Sequence, residues 1–293
     1  MKTILGANHQ FLFPAAMTDA EAHTESLKHM SQLQGFDALD CWLWRGERAK
    51  EEAAILKASE KIINYNIGDR FGEAGAFPAS DNPREREHAY DVIMREVSYA
   101  LELNSKKIVF GSGPDFPADR SGAKERFAEL IVRVGEQLPD DVVLALEPTD
   151  RDIDKYFLLG PLDETVDFIK GIRKNGFDRI GLLLDMCHIP LMHETIDSAL
   201  QKASDTLVHI HLGNCMLSDK GDVYYGDKHP VWGYPGSEYG EAEAVYFIKK
   251  LKEIGYLNVD GNTVSFEMRP ISGLSAEDSL SEFIRIWKAG NAI

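Results

Sequence analysis

The amino-acid sequence predicts an α/β protein that folds as a single (β/α)8 TIM barrel. Short apolar runs alternate with amphipathic helical stretches along the 293 residues, and several of these runs are apolar throughout. Such runs are typical of parallel strands that helices cover on both faces. A barrel of this kind occupies roughly 250 residues as one core. Because the sequence contains neither a linker-like segment nor a glycine-rich nucleotide-binding loop, we expect one domain spanning residues 1–293 rather than an open, doubly wound sheet.

Eight strands follow from the positions of the apolar runs. They are predicted at residues 3–6, 38–43, 61–65, 107–110, 142–146, 180–184, 207–211 and 263–266. The clearest helices are predicted at residues 84–103, 163–174 and 276–288, where apolar side chains recur every three or four positions. Gly176 follows the second of these helices in the position of a C-cap. Eight strand–helix units in this order predict a parallel sheet that closes on itself.

The charge balance argues against several classes of partner. The sequence holds 32 Lys and Arg against 48 Asp and Glu, which gives a formal net charge of −16. A surface that neutralises phosphates needs an excess of cations, so we expect no nucleic-acid partner. No apolar run reaches the roughly 20 residues that span a membrane, and the early polar residues 8–10 leave no room for a signal segment. The three cysteines are widely spaced and form no Cys-x-x-Cys pair. We therefore expect a cytoplasmic protein with no membrane partner.

Ligand-type side chains follow four of the predicted strands. Glu147 ends the fifth strand, Asp185 the sixth, His211 the seventh and Glu267 the eighth. In a barrel the chemistry collects at these carboxyl ends. Three carboxylates brought close together repel one another, and a divalent cation is their natural counterion. One imidazole among carboxylates suits Mn²⁺ first, with Mg²⁺, Co²⁺ and Zn²⁺ as the alternatives. We take these four residues as the metal ligands.

The segments around these residues resemble a known family. They are Leu-Ala-Leu-Glu-Pro at 144–148, Leu-Asp-Met-Cys-His at 184–188, His-Ile-His-Leu at 209–212 and Ser-Phe-Glu at 265–267. Their order and spacing are similar to those of the xylose isomerase-like TIM-barrel superfamily. This superfamily includes sugar isomerases and epimerases, a dehydratase and the endonuclease IV enzymes of AP endonuclease family 2. The resemblance covers about the C-terminal half of the chain.

The resemblance implies an enzyme that acts on a small-molecule sugar. In the isomerases and epimerases, the residues matching the four ligands hold one cation, and those matching Glu147 and Glu267 move protons on opposite sides of the sugar. The residue matching His188 contacts a substrate oxygen. The implied reaction passes through an enediolate of an unphosphorylated ketose or related hydroxy-ketone. A lyase or dehydratase acting on a keto-sugar or keto-inositol is the alternative, and a barrel that only binds is a further one. A homo-oligomer is also implied.

The sequence departs from the epimerase pattern after the seventh strand. Those enzymes usually carry an Arg soon after the residue matching His211, and this chain has none there. Arg269, two residues beyond Glu267, is the candidate replacement in contact with substrate. Pairing of Arg269 with a structural carboxylate is the alternative.

The loop at residues 224–236 is similar to the Asp-x-His element with which endonuclease IV binds an additional zinc. The resemblance implies that Asp227 and His229, with His188, bind a second cation or grip a polar substrate. An exposed loop with Asp227 in a turn is the alternative.

Further candidates for the substrate pocket come from aromatic and imidazole side chains near strand ends. Trp232, in the same loop, suits the apolar face of a sugar, and packing against the barrel rim is its alternative. His9 and Gln10 after the first strand, and Trp42 and Trp44 after the second, are candidates to line the pocket.

An endonuclease IV-like phosphodiesterase is a less favoured hypothesis for the enzymatic activity. That enzyme also needs histidines at the ends of the third and fourth strands. The matching segments here, residues 65–69 and 110–115, contain none. The negative net charge argues in the same direction.

Overall fold

The computed structural model describes residues 3–68 and 70–292, and their backbone forms a closed barrel of eight parallel strands. Each strand pairs with the next, and the eighth pairs with the first. This confirms the predicted single-domain (β/α)8 barrel. The strands are β1 Ile4–Asn8, β2 Ala38–Cys41, β3 Ile62–Gly68, β4 Lys107–Phe110, β5 Val143–Leu146, β6 Ile180–Asp185, β7 Leu207–Leu212 and β8 Thr263–Phe266.

Helices surround the barrel and place their apolar faces on it. In α7, Val166, Ile169 and Ile172 are buried, as the three-to-four spacing predicts. None of the helices in the described part of the chain is long and apolar enough to cross a membrane. The helices are α1 His9–Leu12, α2 Ala20–Gln32, α3 Glu47–Ala58, α4 Arg70–Glu73, α5 Pro83–Glu102, α6 Arg120–Gly135, α7 Leu162–Lys174, α8 His188–Leu191, α9 Ile196–Ala203, α10 Glu241–Glu253 and α11 Ala276–Asn291, with short 3₁₀ turns at Pro14–Met17 and Tyr256–Asn258.

Two strands run at least two residues beyond their predicted ends, and β6 and β7 each run one residue beyond theirs. β1 continues to Asn8, which pairs in register with Asp40 of β2, and β3 continues to Gly68. Both extensions consist mainly of polar or small residues, so a prediction based on apolar runs ends the strands too early. These residues stay in the sheet because their polar side chains face the barrel mouth instead of a helix. In β3 the register against β4 shifts between Asn66 and Gly68, where Gly68 adopts a φ of 42°.

The barrel interior beneath the mouth is polar. Lys107 of β4 reaches across to β8, where its Nζ donates to Thr263 Oγ1 at 2.7 Å and to Gly261 O at 3.3 Å. Burial lowers the pKa of Lys107 to about 8. His209 and Asp40 lie in the same interior and are fully buried. A column of hydrogen-bonded polar groups therefore shares the barrel interior with the small apolar cluster of Val109, Ala145 and Leu183.

Close packing between β1 and β8 requires a glycine at position 6. An added Cβ at Gly6 would lie 2.3 Å from Ser265 Oγ and 3.0 Å from Ala38 O. We expect Gly6→Ala to lower the free energy of unfolding by about 1–3 kcal/mol, because the neighbouring strands cannot move apart without opening the barrel. Gly171→Ala is the matched control. Its Cβ would meet nothing within 4 Å on the exposed side of α7, so we expect a gain of about 0.5–1 kcal/mol. Thermal unfolding of the two variants measures both effects, and equal stability of Gly6→Ala and wild type would contradict the packing account.

Candidate metal centre and its cavity

Four strand ends bring three carboxylates and one imidazole together at the barrel mouth. One ligand atom from each of Glu147, Asp185, His211 and Glu267 lies within 4.8 Å of the others. Glu147 follows β5, Asp185 is the last residue of β6, His211 lies in β7, and Glu267 follows β8. Since each side chain is carried by a strand end, the barrel itself fixes their spacing. The structure thus places the four predicted ligands in one cluster.

Several ligand-type atoms in this cluster are buried without a hydrogen-bond partner. They are Asp185 Oδ2, His188 Nε2 and His211 Nδ1. His211 Nδ1 lies 2.6 Å from Glu267 Oε2 but not in the alignment of a hydrogen bond. Unpartnered buried polar atoms are costly, and native structures keep few of them. Oxygen and imidazole atoms that converge in this way have the chemistry of a divalent-cation site.

Burial and neighbouring charges shift the protonation of the cluster. Burial raises the pKa of Asp185 to about 7, against the opposing effect of nearby histidines. Burial also raises the pKa of Glu267, and the charge of Glu147 adds to this rise. Burial acts in the same direction on Glu147, but the nearby imidazoles of His211 and His188 outweigh it and lower the pKa of Glu147. Burial therefore favours the neutral form of Asp185 and Glu267 in the metal-free protein.

Residues outside the predicted set hold the ligands in place. Asn8 Nδ2 donates to Glu267 Oε1 at 2.7 Å, and the backbone N–H of Cys187 donates to Asp185 Oδ1 at 2.8 Å. Asp40 Oδ2 lies 2.8 Å from His211 Nε2. Sequence reasoning missed Asn8 and Asp40. The available signal for Asp40 was a single acidic residue inside an otherwise apolar strand.

A second polar group adjoins the first. Asp227 Oδ1 lies 2.7 Å from His229 Nε2 and 3.3 Å from His188 Nε2. Each histidine uses its Nδ1 on a backbone carbonyl, His188 on Pro148 O at 3.0 Å and His229 on Glu267 O at 2.7 Å. Both rings are therefore fixed with Nε2 directed at Asp227. His229 has a φ of 53°, a region that non-glycine residues adopt rarely and at a cost of about 1–3 kcal/mol.

A cavity of about 320 Å³ lies above the two groups. Glu147, Glu267 and His188 line it, whereas Asp185 and His211 are fully buried. The remaining wall combines apolar surfaces with polar and charged groups. It includes Asn8, Gln10, Phe11, Met17, Trp42, Asn66, Ile67, Arg70, Glu73, Thr149, Lys155, Phe157, Asp227, Lys228, His229 and Arg269.

Three predicted substrate residues have different positions relative to this cavity. Arg269 lines it, and its Nε donates to Lys228 O at 2.9 Å. Trp232 does not face the cavity, which corrects the prediction. Its ring packs edge-on to Phe266 and Phe283, and its indole N–H donates to Gly213 O.

His9 requires the same correction. Its side chain is fully buried behind the cavity wall, where Nε2 lies 2.8 Å from Ser26 Oγ and the ring meets His23 edge-on. His9 begins α1, and the turn from β1 into this helix directs its ring away from the mouth.

The cavity wall contains residues that sequence reasoning missed. Arg70 stacks over the ring of Trp42 at 4.0 Å and bonds Glu73 at 3.0 Å. Asn66 Oδ1 and Thr149 Oγ1 are buried without hydrogen-bond partners. Asn66 lies one residue beyond the predicted end of the third strand, so a longer strand would have placed it at the mouth. No sequence signal distinguishes Arg70 from a surface cation.

Comparisons with known proteins identify the group to which these features belong. The family model described as "Xylose isomerase-like TIM barrel" matches residues 32–288. D-psicose 3-epimerase of Enterocloster bolteae is 30% identical over 115 residues, which cover 39% of this chain and 36% of that protein. The match therefore spans about a third of the relative's length.

Solved structures share the whole architecture at low sequence identity. The AP endonuclease of family 2 from Brucella melitensis superposes with a TM-score of 0.69 at 19% identity, over 97% of this chain and 99% of that chain. The IOLI protein, whose structure holds a zinc atom, superposes with a TM-score of 0.67 at 16% identity, over 99% of this chain and 97% of that chain. Identities this low show a shared fold.

The raised pKa of Asp185 predicts a pH effect on the metal-free protein. An unfolded chain loses the Asp proton near pH 4, whereas folded Asp185 keeps it until about pH 7. The folded state then binds more protons between these values, and the free energy of unfolding falls as the pH rises through the window. We expect a loss of a few kcal/mol, since each tenfold change in proton affinity corresponds to about 1.4 kcal/mol.

Urea unfolding in EDTA at a series of pH values measures this slope. Asp185→Asn should flatten it, and the exposed control Asp167→Asn should keep it. A slope in Asp185→Asn equal to that of wild type would contradict the assignment.

Proposed function

The chain belongs to the xylose isomerase-like TIM-barrel family, and from this premise we propose that it is a metal-dependent sugar isomerase or epimerase. Its substrate is an unphosphorylated ketose or a related hydroxy-ketone. One observation carries the proposal. Two glutamates from separate strands, Glu147 and Glu267, share a buried cluster with Asp185 and His211 and also line the cavity above it.

The proposed metal ligands are Glu147, Asp185, His211 and Glu267. The unpartnered Asp185 Oδ2 and His211 Nδ1 support this assignment, since a cation would satisfy both atoms. Three carboxylates with one imidazole favour Mn²⁺, with Mg²⁺, Co²⁺ and Zn²⁺ as alternatives. When bound, the cation would polarise a carbonyl and its neighbouring hydroxyl and so acidify the carbon between them.

The two glutamates are proposed to move the proton. β5 and β8 lie three strands apart around the barrel, so Glu147 and Glu267 reach the cavity from different sides. One carboxylate removes the proton beside the carbonyl to give the enediolate, and its partner returns a proton to the other face or the next carbon. His188 lines the cavity with its Nε2 3.3 Å from Asp227 Oδ1, and it is proposed to contact a substrate oxygen.

The charges on the cavity wall support an uncharged sugar. Three of its cations are each already close to a carboxylate: Arg70 lies 3.0 Å from Glu73, Lys228 lies 2.7 Å from Asp154, and Lys155 lies 3.5 Å from Asp227. A phosphate would have to displace these pairs. Arg269 remains on the wall as a contact for hydroxyl groups.

The group of Asp227, His188 and His229 is proposed as a second polar subsite, for a substrate hydroxyl or a second cation. The same group supports a lyase or dehydratase as the second candidate function. A dehydratase needs an acid beside the carbon that loses its hydroxyl, and this group lies directly beside the proposed cation site.

Turnover of ketoses in D₂O tests the proposal. We expect the Mn²⁺-loaded protein to convert a member of a panel of unphosphorylated ketopentoses and ketohexoses into its isomer or epimer. The product should carry deuterium on a carbon next to the carbonyl, since the removed proton exchanges with solvent. NMR of the products detects this. Deuterium in a product that has lost water would favour the dehydratase, and product without deuterium would contradict the enediolate.

Variants and metal removal test whether this activity depends on the cluster of Glu147, Asp185, His211 and Glu267. We expect EDTA to abolish turnover and Mn²⁺ to restore it, because the enediolate would lose its counterion. Glu147→Gln and Glu267→Gln should each lower kcat at least about 100-fold. Glu277→Gln, on the exposed surface beside His29, is the control and should keep wild-type turnover. Full turnover after EDTA treatment would contradict the metal-dependent mechanism.

A further inference from the structure

Asp40 lies inside the barrel, below the candidate metal centre, and bonds two histidines at once. Its side chain is fully buried. Oδ2 lies 2.8 Å from His209 Nε2 and 2.8 Å from His211 Nε2, and Oδ1 accepts a hydrogen bond from Asn64 Nδ2. Asp40 is on β2 and the histidines are on β7, so these bonds cross the barrel interior.

The hydrogen-bond chemistry of a carboxylate fixes the protons of both rings. An ionised carboxylate only accepts hydrogen bonds, so each imidazole nitrogen beside Asp40 Oδ2 must carry a hydrogen. Three nitrogens surround the two oxygens of Asp40, the amide of Asn64 and the Nε2 atoms of His209 and His211, and this is the donor environment of an ionised carboxylate. His211 therefore has its proton on Nε2. In the neutral ring, Nδ1 is then a lone-pair atom.

Nδ1 of His211, the ring nitrogen that Asp40 leaves available, faces the other ligand residues. Nδ1 lies 2.6 Å from Glu267 Oε2 and 3.7 Å from Glu147 Oε1. If the proton of the neutral ring were on Nδ1 instead, this nitrogen could not bind a cation, and Nε2 would face Asp40 with lone pair against lone pair. The contact with Asp40 selects the tautomer that suits a metal ligand.

The lower part of the column holds Asp40 and its second histidine in the same arrangement. Lys107 Nζ donates to Thr263 Oγ1 at 2.7 Å, and Thr263 Oγ1 lies 2.5 Å from His209 Nδ1. Since Thr263 accepts from the lysine, its own hydroxyl proton is available for His209 Nδ1. His209 then presents its N–H to Asp40.

A role as counterion for the buried Lys107 does not by itself explain the position and contacts of Asp40. The hydrogen bonds described for Lys107 Nζ go to Thr263 Oγ1 and Gly261 O, whereas both oxygens of Asp40 are used by Asn64 and the two histidines. A carboxylate that served only as a counterion would not need both imidazoles.

We infer that Asp40 is a positioning residue that holds His211 with Nε2 protonated and Nδ1 directed at the cluster of Glu147, Asp185 and Glu267, and so pre-forms the site for a divalent cation. The inference rests on the cation site of the proposed function and does not depend on the substrate or the reaction.

Titration of metal-free protein with Co²⁺ tests this role, with its visible absorption as the readout. We expect Asp40→Asn to raise the Kd for Co²⁺ about 10–100-fold, as loss of a partner behind a metal-bound histidine usually does, and to change the absorption bands. An amide offers one neutral acceptor oxygen in place of a charged carboxylate, so the charge-assisted hydrogen bonds that favour a proton on His211 Nε2 are weakened. Ser265→Ala, in the same interior with an unpartnered hydroxyl, is the control and should bind within twofold of wild type. A Kd and spectrum of folded Asp40→Asn equal to those of wild type would overturn the inference.

A second measurement needs no change to Asp40 and applies if that variant fails to fold. Histidine ¹⁵N NMR of the wild-type protein loaded with diamagnetic Zn²⁺, assigned by the signals lost in His211→Gln, reports which ring nitrogen carries the proton. We expect a proton on Nε2 and a metal-shifted Nδ1. A proton on Nδ1, or a His211 ring unaffected by Zn²⁺, would overturn the inference. Since neither experiment contains a sugar, absence of turnover would contradict the proposed reaction without affecting this result.

Discussion

The concentration of negative charge at the barrel mouth is the constraint on which the structure of the site depends. Glu147, Asp185 and Glu267 are held together in a largely buried space with one imidazole, His211. Carboxylates at such separation repel one another, and burial adds the cost of desolvation. The raised pKa of Asp185 and of Glu267 expresses this cost. A divalent cation would remove it, and the unpartnered Asp185 Oδ2 and His211 Nδ1 are the atoms that such a cation would use.

The closed barrel is what makes this costly arrangement possible. The four side chains come from β5 to β8, whose parallel pairing leaves little freedom at the strand ends. Below them, a chain of hydrogen bonds runs from Lys107 through Thr263, His209 and Asp40 to His211. The loop that carries Asp227 and His229 packs against the cluster, where His229 Nδ1 lies 2.7 Å from Glu267 O. The polar interior orients the ligands, and the cavity offers space for a small polar molecule.

The fold and the four clustered residues could be predicted because both depend on local patterns. Apolar runs mark the strands, and a ligand-type residue at the end of a strand must lie at the mouth. Asp40 and Asn8 were missed, since the contacts of a polar residue inside a strand depend on the side chains across the barrel. Trp232 and His9 were placed wrongly because sequence gives the position of a residue after a strand but not the direction that the following turn imposes. Arg70 was missed because its contacts at the cavity, with Trp42 and Glu73, cannot be predicted from the local pattern.

The most direct test of the central claim is anomalous diffraction from a crystal of the protein grown with Mn²⁺. Our account predicts one strong anomalous peak bound by oxygens of Glu147, Asp185 and Glu267 and by Nδ1 of His211, at about 2.0–2.6 Å. A crystal without such a peak, or with the cation bound away from these four residues, would contradict it.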